Sequence, residues 1–383
     1  MPGFPSVAFP TINWEIFIFG HYKSYQKAFS TSFMLRVKAY TNPVSVALTL
    51  EAHCAEIQAG LTAVGEPLAS LAESNGFKVE RINSTIIITA PLGKVTFTGN
   101  KNSTRISFAS PTNPELQLFK ELYADRISKL GLAEIIKWDP PRASTPLNQT
   151  RCEVVSCANI SKNFSRLRLR GEFTNFKKHN AGLHFRFLFG PKGVEWPALD
   201  ANGLTYWPGG ISKWHRPVFT VRRISVDADW IDVDIALHEG GRITKWLDGI
   251  KTSDEIAING PSGSKMPKAE RMFLFGDETA MPAIMRIIEN VSINTEVRAT
   301  IALRDPEDLQ KVTEDKRFQI VSVDMRDEHK LLNTLKERID LINGSYLFFA
   351  AEKTQAAKAR EFIRSSSVSV GTAKIAAYWT RNL

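Results

Sequence analysis

Three short segments carry the residue types best suited to chemistry. In Arg216-Pro217-Val218-Phe219-Thr220-Val221-Arg222-Arg223, cations, a ring and a hydroxyl share one strand-like run. Alternation along a strand turns Arg216, Val218, Thr220 and Arg222 to one face and Phe219 and Val221 to the other. An arginine can grip a pyrophosphate bidentately, a phenyl ring can stack on a flat cofactor such as a flavin, and a threonine can hydrogen-bond its polar edge. On its own the segment is better explained as an exposed basic strand with one core phenylalanine. The second segment, His238-Glu239-Gly240-Gly241-Arg242-Ile243-Thr244-Lys245-Trp246, follows a strand and opens a short helix. Glycines there let backbone N–H groups approach a phosphate. His238 taken singly reads as a surface histidine at a strand end. The third, Phe273-Leu274-Phe275-Gly276-Asp277-Glu278-Thr279-Ala280-Met281-Pro282, runs from an apolar strand through a glycine into a helix with Pro282 in its first turn. That is the layout of a dinucleotide-type site, although the G-x-G-x-x-G fingerprint is absent.

These segments must be held by a chain of 383 residues, enough for two or three domains. With 43% hydrophobic and 23% charged residues it can build proper cores, which excludes wholesale disorder. Lys and Arg number 49 against 40 Asp and Glu, so the net charge of +9 favours an anionic partner: nucleic acid, a nucleotide cofactor or an acidic small molecule. Cys54, Cys152 and Cys157 are too few for a disulfide framework or a four-ligand zinc site. Pro10 and Glu15 interrupt the apolar patches of the N-terminal stretch, and no run of about 18–20 apolar residues follows, so a soluble, cytoplasmic protein is expected.

Residues 1–33 have no clear period and are expected to be an extension, or an over-long start before Met34. An α+β domain is expected over 34–138. Its predicted elements are helices over Ala47–Ala63 and Glu66–Asn75, strands over Lys78–Ile82, Ser84–Ala90, Lys94–Thr98 and Arg105–Ala109, and a helix over Glu115–Leu130. Three prolines between Asp139 and Pro146 mark a linker, 139–150. Strands follow at Glu153–Ala158, Ser165–Arg170, Gly182–Phe189, Val218–Val226, Trp230–Leu237 and Glu255–Ile258, which predicts an antiparallel barrel or sandwich over 151–263. Asn259-Gly260-Pro261-Ser262-Gly263 is expected to turn into the last domain, 264–383. There strands at Arg271–Phe275, Val297–Leu303, Phe318–Val323 and Ser345–Ala350 alternate with helices at Pro282–Asn290, Glu328–Ile339 and Thr354–Arg364. Such alternation implies a doubly wound α/β domain that binds nucleotides at its strand ends.

The series R-P-x-F-T-x-R, H-x-G-G-x-x-T-x-W, G-P-x-G and G-D-E-T-A-x-P-A-I, in this order and spacing, resembles the siderophore-interacting protein family of FAD-dependent ferric-siderophore reductases. The resemblance runs from about Arg151 to the C-terminus. Phe348-Phe349-Ala350-Ala351-Glu352 and the closing Tyr378-Trp379 are similar to the family's last strand and final motif. It implies a β-barrel FAD-binding domain and an α/β NAD(P)H-binding-like domain, the architecture of ferredoxin–NADP reductases. Residues 43–129 resemble a small domain of unknown role that precedes the reductase in some members.

Mapped residue by residue, the resemblance implies that Arg216 contacts the FAD phosphates, and that Phe219 and Thr220, with Val221 beside them, line the flavin. His238, Gly241, Thr244 and Trp246 would hold the pyrophosphate and adenine side. Gly276, Asp277, Glu278 and Thr279 would lie where the two domains meet, with Trp379 near the flavin. Trp246 and Trp379 equally suit plain packing. Phe219 stands where tyrosine is common, Ala351 where glycine is usual, narrowing the room for a nicotinamide, and Thr380 where a basic residue is usual. The implied reaction passes electrons from NADPH or NADH through FAD to a ferric siderophore, and no side-chain acid, base or nucleophile is required. Arg186, Lys213, Arg223, Lys374 and Arg381 are candidate substrate-docking cations. Ferredoxin as electron donor, or a basic ligand-binding module without turnover, are the competing expectations; no nucleic-acid motif is present.

Overall fold

A computed structural model of the chain describes residues 11–12, 51–141, 143–177, 182–312 and 314–381. Most of the expected N-terminal extension and residues 34–50 lie outside the described residues, apart from a two-residue strand, β1 (Thr11–Ile12).

The N-terminal unit is an antiparallel sheet with two helices. Its elements are β2 (Glu51–Ile57), α1 (Leu61–Ser74), β3 (Lys78–Ile82), β4 (Thr85–Ala90), β5 (Gly93–Gly99), β6 (Thr104–Ser110), α2 (Asn113–Lys129) and β7 (Ile136–Trp138), with strand order β3-β4-β5-β6-β2-β7. The helix expected over Ala47–Ala63 is wrong. Glu51–Ile57 is a strand paired on both sides, to β6 and β7, and the helix begins only at Leu61. Ala55 and Ile57 are buried while Glu56 is exposed, a period of two that the apolar spacing alone could not separate from a helix face. α2 starts where Thr112 caps it, its hydroxyl accepting from the Glu115 backbone N–H and donating to the Glu115 carboxylate. It buries Leu116, Phe119, Tyr123 and Ile127 against the sheet, with Phe108 meeting Phe119 and Tyr123 edge to face.

The middle domain is a seven-stranded antiparallel sheet. It comprises β8 (Gln149–Ser161), β9 (Phe164–Arg170), a short α3 (Thr174–Lys177), β10 (Gly182–Leu188), the small hairpin β11 (Ala198–Leu199) and β12 (Thr205–Tyr206), then β13 (Val218–Thr220), β14 (Arg223–Ile224), β15 (Trp230–Ala236), α4 (Arg242–Gly249) and β16 (Glu255–Lys265). The sheet order is β13-β10-β16-β8-β9-β15-β14, so both edge strands are pieces of one segment. Val221 N–H bonds to Leu183 O on one side and Arg222 N–H to Asp232 O on the other, which splits the single strand expected over Val218–Val226. The turn expected at Asn259–Gly263 is also absent. β16 continues through it to Lys265, still paired with β10, and two register shifts accommodate Gly260 and Pro261 as irregularities rather than as a reversal.

The last domain is doubly wound. Its elements are β17 (Arg271–Asp277), α5 (Met281–Glu289), β18 (Glu296–Leu303), β19 (Phe318–Asp324), α6 (Lys330–Glu337), β20 (Tyr346–Glu352), α7 (Lys353–Ser365) and β21 (Thr372–Trp379). The parallel order is β1-β21-β20-β17-β18-β19. Along β17, Met272 and Leu274 pack with α5 while Phe273 and Phe275 pack with α6 and α7, so both faces are covered. β21 is a strand that the local periodicity does not announce.

Candidate active site

The chain order reverses between β17 and β20, and in an open parallel sheet the crevice outside the carboxyl ends of the strands at such a point is the binding position. Gly276 sets it up. A Cβ there would meet the Ala280 Cβ at 2.6 Å and Ile284 Cδ1 at 2.8 Å, so only glycine lets α5 press against the end of β17. Asp277, buried at the strand end, accepts from Thr279 N–H (3.0 Å) and Thr279 Oγ1 (2.6 Å), and its other oxygen accepts from Trp379 Nε1 at 2.6 Å. Burial pushes the Asp277 carboxyl up, against the pull of those hydrogen bonds. Glu278 is likewise pushed up by burial although Arg304 Nε lies 2.7 Å away; Arg304 also donates to Leu237 O at the end of β15, tying the two domains together. Glu352, at the end of β20, caps α7 by accepting from Thr354 N–H. The Ala351 side chain is wholly buried in the α6 and α7 core, so its methyl does not take up room in the crevice.

The middle domain brings its own candidates to the same boundary. On β13, Phe219 pairs with Phe185 and Thr220 with His184 of β10. The Phe219 ring is half-buried against Phe187 at 5.2 Å, and Thr220 is buried. The face expected to carry Arg216, Val218, Thr220 and Arg222 together is broken at the strand split: Val218 is exposed, whereas Arg222 turns inward and forks onto Glu289 of α5 with its Nε on Gln310. Val221 is fully buried in the core and presents no surface to a ligand.

A buried chain joins the two halves. Thr220 Oγ1 lies 3.2 Å from His184 Nδ1, and His184 Nε2 lies 3.1 Å from the Tyr378 hydroxyl. Burial first, then the charges of Arg286 and Lys374, push His184 down to about 3, so its ring is neutral. Tyr378 precedes Trp379, and the chain therefore runs from the R-P-x-F-T strand to the G-D-E-T turn. Neither His184 nor Tyr378 was expected as a site residue. The available signals were a histidine set between apolar neighbours in Gly182–Leu188 and the place of Tyr378 in the closing Tyr-Trp motif.

Arg216 is half-buried, its guanidinium 4.9 Å from the Trp207 ring centre and its carbonyl accepting from Arg186 Nη1 at 2.8 Å. Burial, then the neighbouring Arg216 charge, push Arg186 down to about 10. The second phosphate candidate is the His238–Trp246 segment. Gly240 adopts φ +74°, and Gly241 is the N-cap of α4 with no capping side chain, leaving first-turn N–H groups for a ligand. Thr244 Oγ1 accepts from His238 N–H at 3.2 Å, while the Trp246 ring packs on Phe187 and Phe189.

The docking cations are not gathered as expected. Lys374 is buried within β21 beside His184, not on the surface. Arg223 lies 3.7 Å from Glu289 at the far end of α5, about 12 Å along the helix from its N-terminus. Arg381 pairs with Glu328, and its N–H lies 3.4 Å from Glu352. Lys213 is exposed on the turn leading to Arg216. No helix among the described residues is long and apolar enough to cross a membrane.

An antiparallel domain is thus joined across a hydrogen-bonded boundary to a parallel domain whose strand-end crevice is of the nucleotide-binding type. Residues 153–265 match the siderophore-interacting FAD-binding domain and residues 269–382 match the siderophore-interacting protein model. The chain belongs to the siderophore-interacting protein family. It is 24% identical over 238 residues to the ferric vibriobactin reductase of Vibrio cholerae, covering 58% of this chain and 86% of that protein. It is 25% identical over 177 residues to the NADPH-dependent ferric-chelate reductase of Escherichia coli, covering 43% and 67%. Among solved structures, the siderophore-interacting protein SipS of Aeromonas hydrophila shares the fold with a TM-score of 0.51, 20% identity, and coverage of 63% of this chain and 94% of that one.

FAD, the cofactor of the matched domain, fits the residues present. A Cβ on Gly241 would meet His238 Nε2 at 2.8 Å and Thr244 Oγ1 at 3.0 Å, so a side chain there would crowd the turn whose N–H groups would hold a phosphate, and Arg216 would be a cation for a second contact.

Proposed function

We propose that this protein is an FAD-dependent ferric-siderophore reductase that takes electrons from NADPH or NADH and releases Fe(II) in the cytoplasm. The observation that carries this reading is the buried chain Thr220–His184–Tyr378, which joins the R-P-x-F-T strand to the strand-end crevice where Trp379 meets Asp277. The chemistry FAD would supply there is the conversion of a two-electron donation from a nicotinamide into one-electron reduction of Fe(III), and hard oxygen donors hold the resulting Fe(II) less tightly. Arg216 and the N–H groups that open α4 would hold the phosphates. Phe219 would line the ring system, with the Thr220 hydroxyl held in place by His184. Trp379, held by Asp277, would sit at the nicotinamide side. A relative named as NADPH-dependent favours a nicotinamide over ferredoxin as donor. The exposed Lys213 and the crevice-side Arg381 are the cations we propose to meet the anionic ferric chelate. We also infer that the middle domain is a closed barrel, because one segment, Val218–Ile224, supplies both edges of its sheet.

The test is the absorption spectrum of the purified protein, first in air and then anaerobically with NADPH or NADH followed by a ferric hydroxamate. Flavin bands that bleach with the nicotinamide and recover with the ferric chelate are expected. A protein that neither contains nor takes up FAD would overturn the proposal, and a flavin that stays oxidised with both nucleotides would overturn the donor assignment.

A further inference from the structure

α2 carries two buried polar residues that its own domain satisfies only in part. Its apolar face is spent on Leu116, Phe119, Tyr123 and Ile127, yet Gln117 and Lys120 are also buried, at 2% and 3% exposure. Buried polar groups need partners: Gln117 Nε2 donates to Glu121 at 2.8 Å and Lys120 Nζ lies 2.7 Å from His53 Nε2, and both find further partners in the middle domain. Gln117 Nε2 donates to Gly203 O at 3.3 Å and Lys120 Nζ to Asn202 O at 2.5 Å, while Thr205 Oγ1 donates to the Glu121 carboxylate. All three acceptors or donors lie on the β11–β12 hairpin and its turn. Gly203 has φ +64°, and a Cβ there would meet Lys120 Nζ at 2.7 Å, so the turn is shaped to the helix. The linker joins in from below, where Ser144 O accepts from Leu199 N–H at 2.7 Å.

The hairpin leads directly to the phosphate arginine. Trp207 follows β12 immediately, and its ring lies under the Arg216 guanidinium and against Trp214 at 5.6 Å. Glu121 is also close enough for its charge to act on Arg216.

We propose that the N-terminal domain braces the FAD site from outside: α2 clamps the Ala198–Tyr206 hairpin and thereby positions Trp207 and Arg216, so that FAD affinity depends on the docking of this domain. The proposal rests on the reading of Arg216 as a phosphate contact. Lys120, Glu121 and Thr205 act as positioning residues, none of them touching the cofactor.

The experiment titrates FAD into full-length apoprotein and follows flavin fluorescence, with circular dichroism confirming the fold of each variant. Thr205→Val removes the hydroxyl at nearly constant shape, Lys120→Met removes the ammonium but keeps most of the stem, and Thr205→Ser restores a hydroxyl. Coupling between sites typically spans 5–150-fold, so the Kd for FAD should rise about fivefold or more in Thr205→Val and Lys120→Met and return toward wild type in Thr205→Ser. In an Arg216→Ala background, Thr205→Val should then change the Kd by less than about twofold, because its effect passes through Arg216. Wild-type FAD affinity in Thr205→Val and Lys120→Met, with Arg216→Ala weakened, would overturn the clamp and leave the Arg216 reading standing. Full additivity with Arg216→Ala would do the same. Wild-type affinity in Arg216→Ala itself would overturn the Arg216 reading and the clamp with it. Should Lys120→Met fail to fold, the Thr205 pair carries the test.

Discussion

Replacing Arg222 by methionine should loosen the seam between the flavin and nucleotide domains. The side chain is 1% exposed and forks onto Glu289, with Nη2 2.7 Å from Oε1 and Nε 3.0 Å from Gln310. Methionine retains most of the stem, so the loss is mainly electrostatic. Asp234 keeps Arg166 and Gln310, whereas Glu289 keeps only the weaker Arg223 at 3.7 Å. Breaking a buried pair costs about 3–5 kcal/mol, and because the Glu289 side chain is 28% exposed the lower end applies, about 3 kcal/mol. At about 2–4 °C per kcal/mol for a unit of this size, Tm should fall by about 6–12 °C. Burial raises the Glu289 carboxyl, but Arg222 outweighs it and holds the group below its ordinary value of 4.5. A carboxylate depressed on folding stabilises above its unfolded pKa and loses that contribution as pH falls through the folded one. The gap between wild type and Arg222→Met should therefore be full at pH 7 and close as pH drops below about 4.5. Urea denaturation at a series of pH values measures it, and Arg222→Met/Glu289→Gln should be less destabilised than the two single losses added together. A cost under about 1 kcal/mol at pH 7, or a gap indifferent to acid, would refute the assignment of Arg222 as the buried tie across this seam.

Three further outcomes follow from the same geometry. His184→Gln should remove a pH dependence: the folded ring sits near 3 and the unfolded one near 6.5, so the unfolded chain binds the extra proton between those values. Wild type should lose stability as pH falls from 6.5, by about 2 kcal/mol at pH 5, a slope that the glutamine variant lacks when the two are denatured side by side. Gly276→Ala places a methyl 2.6 Å from the Ala280 Cβ and should cost about 1–3 kcal/mol by overpacking α5 against β17; unchanged denaturation would mean that the helix can move away freely. Gly241→Ala keeps an ordinary backbone (φ −61°) but fills the cradle, so FAD affinity should fall about tenfold, some 1.4 kcal/mol, with the fold intact, and undiminished binding in the fluorescence titration would remove α4 from the phosphate site.

Much of this protein is legible one residue at a time. Gly276 followed by Pro282 announces the strand-to-helix turn of the crevice, because tight approaches and proline positions are local chemistry. The alternation of strands and helices after Arg271 and the motif series from Arg216 to Trp379 are legible in the same way, and they carry the family. Where two periods fit, local pattern fails. Ala55 and Ile57 suit a helix as well as a strand until β6 and β7 pair with them, and Val218–Ile224 reads as one strand until its halves hydrogen-bond to opposite edges of a sheet. The site divides along the same line. Side-chain type and spacing determine which residues can hold a phosphate or line a flavin. Only the tertiary structure decides that Lys374 is buried, that Arg222 ties two domains instead of facing a ligand, and that His184 and Tyr378, 194 residues apart, form one chain. Burial and pairing depend on what the rest of the chain brings to a position, and no local window contains that information.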